Sequence, residues 1–116
     1  MPRADVTQMS FAKLYPLLVS KAVKKGRTRE EVDQVTAWLT GYSPEDLARL
    51  EQSETSYGDF FRNAPAMNPN RTRITGKVCD IRVEEIEDPL MREIRYLDKL
   101  VDELAKGKAM EQILRN

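Results

Sequence analysis

The chain has 116 residues, one cysteine, no histidine, and 19 basic against 19 acidic side chains. Its length falls in the single-domain range, and residues 1–116 read as one helical domain preceded by a flexible segment, 1–9. Balanced charge leaves no long-range field toward nucleic acid or an anionic membrane. The longest uncharged apolar run, Leu14 to Val19, is too short to span a bilayer, and with the lone Cys79 and no apolar leader it points to the cytoplasm. Phe11, Leu14, Tyr15, Leu18, Ala22 and Val23 recur at helical period and predict a helix over 11–25, with a kink or fresh start at Pro16 and a stop at Gly26. Thr28 and Glu31 form a capping box that opens a second helix, whose buried face is Val32, Val35, Trp38 and Leu39 and whose end is Gly41. Ser43-Pro44 then starts a third helix to about residue 52, with Leu47 and Leu50 inward.

Residues 53–73 carry Gly58, Pro65 and Pro69 and read as loop around one helical turn bearing Phe60 and Phe61. Residues 74–87 are open between helix and strand, since Val78, Ile81, Val83 and Ile86 are all apolar and β-branched. Asp88-Pro89 repeats the cap-and-proline signal, and Leu90, Ile94, Leu97, Leu100, Val101 and Leu104 define the longest helix, ending at Gly107. Met110, Ile113 and Leu114 close the chain with a short helix. The expected fold is all-α, a small orthogonal helical bundle.

Two phrases share a helix-turn-helix spacing: Ala37-x-x-x-Gly41-Tyr42-Ser43-x-x-x-Leu47 and Gly76-x-x-x-Asp80-Ile81-Arg82-x-x-x-Ile86. Both read as helical corners, with internal duplication as one explanation. DNA recognition is disfavoured, because the second helices would expose Glu45, Asp46 and Glu51, and Glu84, Glu85, Glu87 and Asp88, toward phosphates.

The phrases Met9-Ser10-Phe11-Ala12, Lys25-Gly26-Arg27-Thr28, Trp38-Leu39-Thr40-Gly41-Tyr42, Ile74-Thr75-Gly76, Glu84 to Met91 and Ile94 to Leu100 resemble a bacterial family catalogued as domain of unknown function twenty-two hundred. The resemblance spans nearly the whole chain and implies a mostly helical bacterial protein without an assigned activity. Two departures stand out: a histidine and a tyrosine usual before Met9 are missing, and Asp80 replaces a glycine.

Without histidine, structural zinc and the common catalytic triads lack their ligands and bases, so no catalytic, cofactor or metal residue is assigned. Isolated glycines give no phosphate loop. The candidate polar or partner surface is Glu84, Glu85, Arg92, Arg95 and Asp98. Arg95 and Asp98 share a helix face and read either as the floor of a polar pocket or as a surface pair worth a few tenths of a kcal/mol. The expected function is protein–protein contact, with self-association through residues 90–106 as one form. The alternatives are a small carboxylate-dependent enzyme, or a nucleic-acid binder using Lys21, Lys24, Lys25, Arg27 and Arg29.

Overall fold

The computed structural model describes residues 6–78 and 81–115. Val6–Gln8 form a 3-10 turn with Thr7 buried. The stretch is then pinned to a distant segment, Tyr57 N–H donating to Met9 O at 2.7 Å and Phe11 N–H to Thr55 O at 3.0 Å.

Helix α1 is Phe11–Val23, capped by the Ser10 hydroxyl, and it runs through Pro16 without interruption. Proline inside a helix costs about 3 kcal/mol, while each large apolar side chain buried contributes about 1.5–3 kcal/mol. Phe11, Tyr15 and Ala22 are fully buried, with Leu14, Leu18 and Val19 packed against the core, so burial outweighs the proline. Helix α2, Arg29–Thr40, begins with the expected Thr28/Glu31 capping box. Its inner face is Val32, Val35, Thr36, Leu39 and Thr40. Both threonine hydroxyls donate to the carbonyl four residues back, at 2.9 and 2.7 Å, and so satisfy themselves inside the core. Trp38, placed in the core by sequence, is only half-buried. It stands about 100° round the helix from Leu39, at the rim of the buried stripe.

Gly41 turns the chain into α3, Pro44–Leu50, at φ +83°. A Cβ there would lie 2.8 Å from both the backbone nitrogen and Cβ of Ala66. Residues 66–68 lie close because they cap α2, Ala66 N–H donating to Thr40 O at 3.0 Å and Asn68 N–H to Leu39 O at 2.9 Å. Gly41→Ala is therefore expected to destabilise by about 2 kcal/mol, one part left-handed strain and one part displacement of Ala66. Gly26→Ala, also at positive φ but in open space, should cost about 1 kcal/mol. Urea unfolding of the two variants would check the difference; equal losses would mean that the 66–68 segment yields freely.

The turn carrying Phe60 and Phe61 is helix α4, Tyr57–Arg62, and a 3-10 turn follows at Pro69–Arg73. Residues 74–87 resolve toward strand. Lys77–Val78 (β1) and Ile81–Arg82 (β2) form an antiparallel hairpin, Lys77 opposite Arg82, leading into a 3-10 turn at Val83–Glu85. The second helix-turn-helix reading is thus corrected, and the duplication loses its structural support; only the Gly41 corner is helical on both sides. β-branched residues favour extended chain here, and Gly76 at φ +103° cannot continue a helix into it. Cys79 and Asp80, expected as core thiol and turn residue, lie outside the described residues.

Helix α5, Pro89–Ala105, is capped by Asp88 and buries Ile94, Tyr96, Leu97, Leu100, Val101, Glu103 and Leu104. It packs against α1, α2, α4, β1 and the final helix α6, Met110–Ile113. Its apolar stripe faces the core of the chain. No helix among the described residues is long and apolar enough to cross a membrane.

Candidate functional site

The N-terminal turn, α1, α4 and α5 meet around a cleft of about 190 Å³. The hydrogen bonds that pin residues 9–11 to residues 55–57 bring Val6 to the same cleft as Tyr57. Helix α1 contributes Leu14, Leu17 and Leu18, and α5 contributes Ile94, Arg95 and Asp98. The walls are apolar and the polar groups few, the usual composition of a recognition pocket. Leu17 is 64% exposed at the lip.

Arg95 Nη1 donates to Asp98 Oδ2 at 2.9 Å, with the two side chains 26% and 19% exposed. The pair is recessed and lines the cleft. Burial raises the Asp98 carboxyl above its ordinary value, with the Arg95 guanidinium opposing it. Burial likewise raises the Tyr57 hydroxyl well above its ordinary value, and the neighbouring Asp98 charge adds to this. Tyr57 therefore stays neutral. A neutral phenol and a carboxylate held by a guanidinium can orient a donor group beside an apolar one.

The raised Asp98 value carries a sign. Between its unfolded value and its raised folded value the native chain binds a proton that the unfolded chain has released, so stability falls as pH rises through that window. Urea midpoints from about pH 4 to 7 should show that fall in the parent and lose it in Asp98→Asn. An unchanged slope in the variant would assign it to other groups.

The other sequence candidates lie elsewhere. Glu84 sits at the base of the hairpin and accepts from Gly76 N–H at 3.0 Å; its own backbone amide and that of Gly76 hold its carboxyl below the ordinary value. Glu85 is exposed beside it. Arg92 donates Nε to Ile86 O at 2.7 Å, with Nη2 on the same oxygen, tying the hairpin to the start of α5. The acidic cluster and Arg92 therefore do not join Arg95 and Asp98. Sequence reading missed Val6, Leu17 and Tyr57. A signal for Leu17 existed: six consecutive apolar residues, 14–19, in one helix must turn at least one outward.

A second, wider hollow of about 390 Å³ lies between α3 and α4, lined by Tyr42, Asp46, Arg49, Leu50, Ser53, Asn63 and Pro65. Its polar groups serve local structure. Asp46 completes the α3 capping box and holds Arg49, and the Ser53 hydroxyl donates to Leu50 O at 2.7 Å. Among the described residues no group of three or more His, Cys, Asp or Glu is placed to hold a metal ion.

Fold and cleft together define a small, mainly helical domain packed around α5 and notched on one side. The chain belongs to the family described as uncharacterized protein conserved in bacteria (DUF2200), whose model matches residues 5–115. It is also similar to a solved structure described as "Crystal structure of uncharacterized protein SP1917", at 53% identity and a TM-score of 0.90, over 94% of this chain and 89% of that one. No curated protein matches the sequence.

Proposed function

We propose that this protein is a non-enzymatic binding module that acts through protein–protein contact at the cleft between α1 and α5. The observation that carries the reading is Leu17, 64% exposed at the lip of a cleft whose floor is the Arg95–Asp98 pair. Protein partners commonly dock an apolar anchor in such a recess and satisfy its polar floor.

The test is selection of short peptides from an unbiased random library against the intact chain, repeated with Leu17→Glu. Binding peptides should lose at least about tenfold in affinity with the variant. Leu17→Glu lies on the surface and should shift stability by no more than about 0.5 kcal/mol. Peptides indifferent to Leu17, or no binders at all, would sink the reading.

A further inference from the structure

The outward face of α1 has a particular charge. Residues 6–29 contain six basic side chains and no acidic one, although the whole chain is balanced at 19 of each. Three of the six are held by carboxylates: Lys21 by Asp102 at 3.3 Å, Arg27 by Glu31 at 2.5 Å and Arg29 by Asp33 at 3.6 Å. Lys13, Lys24 and Lys25 have no carboxylate within 4.0 Å among the described residues, and all three are exposed. At 100° per residue Lys13, Leu17, Lys21 and Lys24 fall within an arc of about 80°, so Leu17 stands in a row of ammonium groups.

We propose that the partner segment docking at this cleft is acidic and apolar: a peptide that sets a large aliphatic or aromatic side chain over Leu17 and carboxylates against Lys13 and Lys24. The proposal rests on the reading of the cleft as a partner site and adds the chemistry of what fills it. Charge complementarity is the ground for it. An exposed leucine between lysines offers apolar contact flanked by cations, and carboxylates on both sides of an apolar anchor match that order. A phosphate backbone would use the lysines but has nothing to set against Leu17. An anionic bilayer takes up several protruding apolar side chains on one face, whereas along the row of lysines Leu17 alone projects, Leu14 and Leu18 being recessed and the exposed Val23 lying about 120° round the helix from Leu17.

The best peptide from the unbiased selection is remade with each Glu and Asp replaced by the amide, and both forms are titrated against the full chain by fluorescence anisotropy. The acidic form should bind at least about tenfold more tightly at 50 mM salt, and the difference should shrink toward twofold at 500 mM, where exposed charges are screened. The double variant K13E/K24E should lose the preference while keeping the affinity for the amide form. Selected peptides that are neutral or basic, or an amide form that binds as well as the acid, would overturn the acidic chemistry and leave the cleft reading standing. Selection that yields nothing dependent on Leu17 removes both. A short DNA duplex or phosphatidylglycerol vesicles displacing the acidic peptide from the lysine face at lower concentration than unlabelled peptide would also overturn the proposal, in favour of that anion.

Discussion

Phe60→Ala is expected to cost about 4 kcal/mol, within the range for a fully buried aromatic cut back to alanine. Its ring is fully buried and has neighbours on all sides, with centroids at 4.3 Å to Phe11, 4.8 Å to Tyr42, 4.9 Å to Phe61 and 6.3 Å to Tyr57. Helix α4 has only six residues, far too few to hold itself in water. The rings therefore fasten α4 to α1 and to the Gly41 corner, and the Tyr42 hydroxyl donating to Phe60 O at 2.8 Å adds a polar tie. Thermal unfolding of Phe60→Ala should drop by roughly 15 °C for a chain of this size. A loss below about 1 kcal/mol would show that α4 is held by something other than its rings.

Arg115→Ala is expected to cost about 3 kcal/mol, although Arg115 lies next to the end of the chain. Its guanidinium grips the Glu103 carboxylate with two bonds, at 2.9 and 2.7 Å, and also donates to Ile113 O at 2.5 Å. The Glu103 side chain is 2% exposed, so removing its main partner leaves a buried charge to be met by Lys108 at 3.4 Å. Breaking one side of a buried pair costs several kcal/mol, whereas replacing both partners with apolar residues is often neutral. Arg115→Ala in urea should show the loss, and the double variant Glu103→Leu with Arg115→Leu should recover most of it. A double variant as weak as the single one would mean that the pair contributes by geometry, and that packing of α6 depends on it.

The helices were legible because their signals are local. Ser10, Thr28, Ser43 and Asp88 cap the helices that they precede, and Gly41 and Gly107 close helices at positive φ. The stripe from Leu90 to Leu104 names the core face of α5 almost residue for residue, because a helix with one apolar face can satisfy it in only one orientation. Trp38 and Pro16 were misread for related reasons. Hydrophobicity ranked Trp38 above Thr36, yet angular position on α2 puts the threonine inside and lets its hydroxyl be satisfied by its own helix. Pro16 was read by its local cost alone, and the burial that offsets it comes from partners far along the chain.

Segment 74–87 shows where local reading ends. The spacing shared with the Gly41 corner was a pattern of residue sizes, and it could not say that β1 would pair with β2 or that Lys99 would donate to Lys77 O at 3.1 Å and hold the hairpin on α5. The candidate site is divided in the same way. Sequence alone could put Arg95 and Asp98 on one helix face, since their spacing is three, and could exclude histidine chemistry outright. It could not lay Val6 beside Tyr57 or recess the pair behind Leu14, Leu17 and Leu18. Those neighbours come from three other elements and depend on hydrogen bonds between residues more than forty positions apart. Caps and stripes are properties of a few adjacent residues, whereas the cleft, the buried Glu103 and the ring cluster at Phe60 exist only once α1, α4 and α6 have closed on α5.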